Sequence, residues 1–241
     1  MAKPPQKQTR SPRKPKGFPP AKAAELYRRL AEDRPDPKTE LAYDSPFTLL
    51  VAVVLSAQAT DAGVNKATRA LFQLAPTPAA MAALGEAGVA EHIRTIGLWR
   101  NKAKNVVALS KQLIELHDGQ VPHDREALEA LPGVGRKTAS VVLHEAWREP
   151  TIAVDTHVFR VANRTGLAPG PTPDKVEALL LEVTPEIYTH GAHHWLILHG
   201  RYVCIARKPK CPACVIRELC QFKTKTPPSA LSEAIDQSLR A

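Results

Sequence analysis

Apolar residues recur at helical spacing along most of the chain. Ala21–Leu30 and Asp61–Leu74 both carry apolar side chains three and four residues apart, which is the pattern of an amphipathic helix. Thr48–Leu55 is apolar on most sides and predicts a central, buried helix. The same reasoning predicts further helices at 78–84, 86–94, 100–117, 124–130, 136–147, 156–164, 174–182 and 185–199, and a short one near 212–219.

The pattern favours an all-α protein. No stretch alternates polar and apolar residues with a persistent period of two, so a β-sheet is not expected. The 241 residues suffice for one large or two small domains with hydrophobic cores. Residues 1–17 are rich in proline, lysine and arginine and predict a flexible basic arm, and residues 225–241 predict a second tail.

The charge of the chain is unevenly distributed. The formal net charge is +9, which favours a polyanionic partner, with nucleic acid ahead of a membrane surface. Six basic residues and no acidic residue lie within 1–17, so the remainder of the chain carries only +3. Any basic surface that binds nucleic acid on the folded body must therefore be local.

Two features favour a cytosolic protein without a membrane partner. The longest apolar run, Phe47–Ala57, is too short to cross a bilayer, and the basic N-terminus lacks the apolar segment of a signal peptide. All four cysteines lie between 204 and 220, whereas disulfides that staple a secreted chain are normally spread along it.

A turn rich in proline and glycine separates the helices predicted at 124–130 and 136–147. Pro132 cannot donate a helical hydrogen bond, and Gly133 and Gly135 permit backbone angles that other residues rarely adopt. Their missing side chains also let a ligand approach the main chain, where the next helix offers unpaired N–H groups and a positive dipole end. The turn predicts an anion site that fits a DNA phosphate, with an ordinary corner between helices as the alternative.

Lys137 and Asp155 each stand at the start of a predicted helix. The helix dipole disfavours an ammonium group at this end, and a free amine is a nucleophile that can form a Schiff base with a sugar carbon. The alternative is a lysine that only contacts phosphate. Asp155 fits an N-cap position, where backbone N–H groups would hold its carboxylate rigidly. Such a carboxylate could also stabilise positive charge on a deoxyribose or move a proton, and the two roles are compatible.

Four cysteines lie within seventeen residues, at Cys204, Cys211, Cys214 and Cys220. Their spacing, C-x6-C-x2-C-x5-C, indicates a metal centre. Four thiolates satisfy the tetrahedral preference of zinc and equally ligate a [4Fe–4S] cluster, so the spacing leaves both open. The loop between the first two cysteines contains Arg207 and Lys208, and it is either basic enough to meet a DNA backbone or simply a solvated charged loop.

Four histidines also lie close together, at His190, His193, His194 and His199. The first and third would share one helix face, which makes a histidine metal site conceivable. No carboxylate stands nearby at metalloprotease spacing, however. We therefore expect these side chains to pack or to form hydrogen bonds between domains.

The hairpin sequence Leu131-Pro-Gly-Val-Gly-Arg-Lys-Thr-Ala139, the segment Val154-Asp-Thr-His157 and the cysteine spacing together resemble the endonuclease III family of iron–sulfur DNA glycosylases with lyase activity. The likeness covers roughly residues 20–223 and includes Ser56-Ala-Gln-Ala-Thr-Asp61, Gly97-Leu98 and His193–Arg201. It implies two all-helical domains that flank a DNA-binding cleft. These would be a six-helix barrel at 39–149, which contains the hairpin, and an iron–sulfur cluster domain at 18–38 and 150–224.

The resemblance also implies roles for individual residues. Lys137 would be the attacking amine, Asp155 its catalytic carboxylate, and the four cysteines the ligands of a [4Fe–4S] cluster. Gln58 would fill the space left by a base that is extruded from the duplex, and Leu98 would wedge into the opposite strand. With the turn and the basic loop included, the residues predicted to contact DNA are Gln58, Leu98, Leu131, Gly133, Gly135, Arg207 and Lys208.

The expected function is removal of oxidised pyrimidines from double-stranded DNA by a monomeric enzyme that also nicks the abasic site. An adenine-specific mismatch glycosylase is one alternative, but such enzymes lack the hairpin lysine and carry an extra C-terminal recognition domain. A non-catalytic DNA-binding or redox-sensing protein is another, and it would need neither Lys137 nor Asp155. Trp99-Arg100 departs from the family pattern beside the wedge, so the preference for the opposite strand stays open.

Overall fold

A computed structural model describes residues 18–227, and the predicted basic arm and residues 228–241 of the predicted tail lie outside this range. The helices are α1 (Pro20–Asp33), α2 (Pro46–Ser56), α3 (Asp61–Leu74), α4 (Pro78–Ile93), α5 (Trp99–His117), α6 (Arg125–Glu129), α7 (Arg136–Trp147), α8 (Thr156–Thr165), α9 (Pro173–Val183) and α10 (Thr189–Tyr202). Short 3-10 turns occupy Glu186–Tyr188 and Cys211–Ala213. No β-strand occurs within 18–227, which confirms the all-α prediction for that range.

Helix α2 forms the centre of the first hydrophobic core. Every residue from Phe47 to Leu55 is buried, as its uniformly apolar sequence predicts. Its start is fixed by a capping box, in which the Ser45 hydroxyl accepts a hydrogen bond from the backbone N–H of Thr48 (3.1 Å) and the Thr48 hydroxyl accepts one from that of Ser45 (2.9 Å). The box satisfies two N–H groups that would otherwise lack partners at the buried end of this helix.

Helix α4 bends sharply at Gly85, where the backbone has φ 71° and ψ 172°. Only glycine adopts this conformation without strain, so the residue divides α4 into two helical segments. The sequence predicts the same division, because the two apolar patterns at 78–84 and 86–94 meet at this glycine.

Buried apolar side chains form two separate hydrophobic clusters. One runs from Phe47 to Leu143 and involves α2 to α7. The other combines α1 with the chain from Ile152 to Ile216. The domain boundaries proposed from the sequence stay a prediction, and the two clusters divide the chain in the same way.

Two predicted helices near the C-terminus differ from the structure. The segment predicted at 185–199 begins as a 3-10 turn, and α10 itself spans Thr189–Tyr202. The short helix predicted near 212–219 is wrong, because that segment forms successive turns that direct Cys211, Cys214 and Cys220 towards one cavity. In a regular helix Cys211 and Cys220, nine positions apart, would point in opposite directions.

The C-terminal segment begins to pack before it leaves the described range. Lys225 donates to the carbonyl oxygen of Cys220 (2.7 Å), and Thr226 donates to that of Pro209 (2.6 Å). The tail that the sequence places at 225–241 therefore starts at least two residues later. No helix within 18–227 is long and apolar enough to span a membrane.

Polar contacts join the two hydrophobic clusters. Arg201, on α10, donates to the carboxylate of Asp61 at 2.7 Å and also pairs with Glu40. Within the second cluster, the indole nitrogen of Trp195 on α10 donates to the backbone oxygen of Arg34 at the end of α1 (2.9 Å). Arg201 lies on α10, which belongs to the second cluster, and Asp61 begins α3, which belongs to the first. This ion pair therefore fixes the distance between the two clusters, which form the two walls of a cleft.

We predict that replacing Leu50 with alanine destabilises the protein by about 2–5 kcal/mol, because this side chain is completely buried in α2 and its loss leaves a cavity. Leu74, which is 57% exposed, provides the matched control, and Leu74→Ala should change the free energy of unfolding by less than about 0.5 kcal/mol. Urea denaturation of the two variants measures the difference. Equal losses would contradict the central position of α2.

Candidate active site

The hairpin between α6 and α7 is built on one required glycine. Gly133 has φ 80°, and a Cβ at this position would lie 2.8 Å from the side-chain nitrogen of Asn105. Gly135 differs from the sequence expectation, since its φ of −103° is open to any residue and an added Cβ would meet no atom of the described chain within 4 Å. Gly135 therefore leaves open space in front of the N-terminus of α7, and only Gly133 supplies an unusual backbone angle.

The hairpin is anchored to the first core by its apolar side chains. Ala139, Val142 and Leu143 are buried on one face of α7, at the spacing of an amphipathic helix. Leu131 is only 2% exposed, so its side chain packs into the core, and the predicted contact of this residue with DNA stays a prediction. Its backbone carbonyl accepts a hydrogen bond from Val134 (3.0 Å), which closes the turn. Leu131 thus holds the hairpin in place and leaves ligand contact to the main chain around it.

Lys137 and Asp155 line the same cleft. The cleft has a volume of about 650 Å³, and its lining includes Ser56, Gln58, Lys137, Asp155, His157 and Arg201. Lys137 is exposed in the first turn of α7, and no side chain of the described residues caps this helix. Its N–H groups and its amine therefore face the same opening, which suits an anionic ligand that carries an electrophilic carbon nearby.

Asp155 is the N-cap of α8, as the sequence predicts. Its Oδ1 accepts hydrogen bonds from the backbone N–H groups of His157 (2.8 Å) and Val158 (2.7 Å). Within the described chain, Oδ2 accepts no hydrogen bond. One oxygen therefore fixes the carboxylate, and the other is free to act on a ligand in the cleft.

A buried connection sets the position of Asp155 relative to Lys137. Residues 151–154 lie between α7 and α8 and are all buried. The Thr151 hydroxyl donates to the backbone oxygen of Ser140 (2.6 Å), and His193 Nδ1 donates to that of Ala153 (3.0 Å). Burial lowers the pKa of His193 well below its ordinary value, so the ring is neutral at physiological pH. These contacts hold the two helix N-termini at one end of the cleft.

Gln58 and Leu98, the predicted DNA-intercalating residues, are both exposed and share an unusual conformation. Their φ angles are 54° and 59°, in the left-handed region that non-glycine residues rarely adopt. The two loops are neighbours, since a Cβ added to Gly97 would lie 3.8 Å from the backbone oxygen of Gln58. Leu98 is 56% exposed, which leaves its side chain accessible to a partner.

Arg201 is a cleft residue that the sequence reasoning did not select. It lines the cleft together with Asp61, to which it is ion-paired. The only sequence signal was its place at the end of the His193–Arg201 segment, and nothing in that segment predicts its partner on α3.

The four cysteines surround one cavity, in agreement with the predicted metal centre. Zinc–sulfur bonds of about 2.3 Å would bring tetrahedral thiolates within roughly 4 Å of one another. No three of these sulfurs, all in the described part of the chain, lie within 4.8 Å of one another. The wider spacing fits a group larger than a single ion, and burial raises the pKa of the Cys214 thiol to about 12, so a strongly cationic group is needed to hold its thiolate.

Two arginines of α8 shape the basic loop between Cys204 and Cys211. Arg160 donates to the backbone oxygens of Cys204 (2.9 Å) and Gly200 (2.7 Å). Arg164 donates to the backbone oxygens of Ile205 (2.7 Å) and Ala206 (2.8 Å). The exposed loop residues, Arg207 and Lys208, follow directly, and Lys208 has a left-handed φ of 51°. Because α8 also begins at Asp155, one helix connects the cysteine loop to the cleft.

The four histidines have different surroundings. His193 supports the buried connection, and His199 lies with Nε2 3.6 Å from the sulfur of Cys214. His190 is exposed. His194 lies with Nε2 2.9 Å from Oε1 of Glu145, a carboxylate on α7 that sequence spacing could not connect to it. His193 thus forms a hydrogen bond within the second cluster, and His194 approaches a residue of α7, a helix of the first cluster.

The chain is similar to known endonuclease III proteins in both sequence and structure. The chain is 58% identical over 205 residues to endonuclease III of Escherichia coli (strain K12), covering 85% of this chain and 97% of the relative. It is 58% identical over 204 residues to endonuclease III of Haemophilus influenzae, with the same coverage. A solved structure of a trapped endonuclease III–DNA covalent intermediate matches with a TM-score of 0.80 and 44% identity, covering 84% of this chain and 96% of that one.

The model of the HhH-GPD superfamily of base excision DNA repair proteins matches residues 51–186. This range contains the hairpin, Lys137 and Asp155, and it is more than half of the chain. The chain belongs to the HhH-GPD superfamily of base excision DNA repair proteins.

Proposed function

We propose that this protein is a bifunctional DNA glycosylase and abasic-site lyase that removes oxidised pyrimidines from double-stranded DNA. The observation that carries the proposal is the joint exposure of Lys137 and Asp155 in one cleft, each at the N-terminus of a helix. Its relatives named endonuclease III, and a relative trapped as a covalent DNA intermediate, support the same chemistry.

The first step joins the enzyme to the sugar. The neutral amine of Lys137 attacks the deoxyribose carbon that bears the damaged base, and the bond from that carbon to the base breaks as the new bond forms. The departing base takes the electron pair and is then protonated by the proton that the amine releases through Asp155. Asp155 faces the positive charge that develops on the sugar, and its free Oδ2 accepts the proton that the amine loses.

The second step cuts the strand. The sugar ring opens to give a Schiff base between Lys137 and the sugar, which acidifies the adjacent carbon. Removal of a proton from that carbon breaks the bond to the 3′ phosphate by β-elimination. Water then hydrolyses the Schiff base and frees the lysine.

The duplex must be opened before this chemistry can occur. The phosphate backbone binds the N–H groups around Gly133 and Gly135, which positions the strand without reading its sequence. The damaged nucleotide is extruded into the cleft, at an unstacking cost of a few kcal/mol. Gln58 fills the vacated space and Leu98 wedges into the opposite strand, and their neighbouring loops already hold both side chains exposed. Arg207 and Lys208 contact the phosphate backbone of the DNA further along the duplex.

The four cysteines are proposed to hold a [4Fe–4S] cluster. Their wide spacing around one cavity supports a cluster over a single zinc ion. When bound, the cluster would supply a cross-link between the four thiolates. The chain itself supplies Arg164, whose guanidinium lies 3.7 Å from the sulfur of Cys204 as a partner outside the ligand set.

Replacing Lys137 with alanine should abolish covalent capture, because the substituted protein has no amine at the sugar. The measurement is borohydride trapping with a duplex that contains thymine glycol, together with strand nicking, which should fall at least about 10³-fold. Lys175, another exposed lysine in the first turn of a helix, is the control, and Lys175→Ala should trap normally. Trapping by the Lys137→Ala protein would show that another group is the nucleophile.

Replacing Asp155 with asparagine separates its two roles. Asparagine caps helices as well as aspartate does, so the free energy of unfolding should change by less than about 0.5 kcal/mol, while nicking falls roughly 10²–10⁴-fold. Asp155→Ala should in addition lose about 1 kcal/mol of stability. The measurements are the nicking rates and the denaturation curves of both variants. Full nicking activity of the Asp155→Asn protein would show that Asp155 serves only as a helix cap.

Protein purified without oxygen should be brown, with broad visible absorption and about four irons and four sulfides per chain. Cys214→Ser should remove the colour and most of the iron, because this ligand is the most buried of the thiols whose pKa is raised. Chemical analysis measures the iron and sulfide content, and absorption spectroscopy measures the visible colour. A colourless protein that holds zinc at these cysteines would refute the cluster.

A further inference from the structure

A second group of metal-ligating side chains lies outside the catalytic cleft. One ring nitrogen of His144, one carboxylate oxygen of Glu145 and one ring nitrogen of His194 all lie within 4.8 Å of one another. The first two stand in the last turns of α7 and the third on α10. We call this group the His–Glu–His cluster. It is the only such group of three or more histidine, cysteine or acidic residues within 18–227.

The cluster is largely buried, and one oxygen of its carboxylate forms no hydrogen bond within the described chain. The side chains of His194 and Glu145 are only 7% and 9% exposed, and His144 is 6% exposed. The oxygen without a hydrogen bond is Oε1 of Glu145, which is buried and lies 2.9 Å from Nε2 of His194. A buried carboxylate oxygen without a donor is unfavourable, and a cation bound between it and the imidazoles would satisfy it.

The tautomer of His144 favours metal binding. Its Nδ1 lies 3.0 Å from the backbone oxygen of Glu149. A carbonyl can only accept a hydrogen bond, so Nδ1 carries the proton and Nε2 keeps its lone pair. Metal-ligating histidines usually donate their second ring nitrogen to a carbonyl or carboxylate in this way, which fixes the ring for its metal.

From this geometry we propose that the His–Glu–His cluster binds one divalent zinc ion. Two imidazole nitrogens and one carboxylate oxygen are three ligands of a tetrahedral zinc site, and the fourth is water from the adjoining groove. That groove is lined by Lys38, Tyr43, Arg148 and His190, among others, and it shares no lining residue with the catalytic cleft.

The ion would have a structural effect. Helix α7 belongs to the first hydrophobic cluster and α10 to the second, so an ion bound to both helices joins the two clusters. Lys137 lies seven residues before His144 on the same helix, about 10 Å along its axis. The zinc ion would therefore stabilise the end of α7 that is remote from the nucleophile, without entering the chemistry.

The test uses the full-length protein with its native metal centre intact, treated with a chelator and then titrated with zinc chloride. Calorimetry should detect about one equivalent of bound zinc, and zinc should raise the thermal unfolding midpoint. Glu145→Gln, which preserves volume, and His144→Asn should each weaken binding on the order of 100-fold and remove the rise in midpoint. His117→Asn, at the end of α5, is the control and should bind zinc normally.

Three outcomes would overturn the proposal. The first is the absence of zinc binding by the unsubstituted protein. The second is unchanged zinc stoichiometry in Glu145→Gln and His144→Asn, which would assign the ion to the cysteines. The third is equal loss of binding in His117→Asn. Far-ultraviolet circular dichroism shows whether each variant is folded and should be unchanged in all of them, so the result does not depend on the proposed catalytic function.

Discussion

The fixed placement of two helix N-termini is the constraint on which the site depends. Helix α7 begins with Lys137 in its first turn, and α8 begins at the carboxylate of Asp155. The buried residues 151–154 connect the two helices, and hydrogen bonds from Thr151 and His193 hold that connection from both sides. Since each helix is packed into a different hydrophobic cluster, the cores determine where the amine and the carboxylate face the ligand.

Electrostatics at this site come from local features. Two helix dipoles point their positive ends into the cleft, while the tethered cation Arg201 is already neutralised by Asp61 and Glu40. The main-chain N–H groups at the start of α7 and the amine of Lys137 are then left to attract a phosphate. This agrees with the modest charge of +3 on the chain after residue 17.

The sequence predicts features that depend on neighbouring residues and fails for those that depend on distant ones. The bend at Gly85, the cap at Asp155 and the buried face of α7 follow from local spacing and backbone sterics. The partner of Arg201 and the proximity of Glu145 to His194 do not, because tertiary packing of separate helices creates them. The same limit explains two errors.

The start of α10 and the cysteine segment are these errors. The helix predicted from residue 185 begins as a 3-10 turn, and α10 itself starts at Thr189. The DNA contact assigned to Leu131 stays a prediction, and its side chain, 2% exposed, lies in the core. The segment at 212–219 has helix-forming residues, but directing several cysteines towards one cavity overrides that preference.

The left-handed backbone at Gln58 and Leu98 has a consequence for how the protein evolves. At this backbone angle each of these residues lowers the folding stability by roughly 1 kcal/mol relative to glycine. Glycine, however, has no side chain that could contact a ligand. Selection for stability and selection for side-chain reach therefore oppose each other at these two positions. The side chains of Gln58 and Leu98 are thus already exposed before a duplex binds. Binding therefore requires ordering of the nucleic acid and little ordering of the protein.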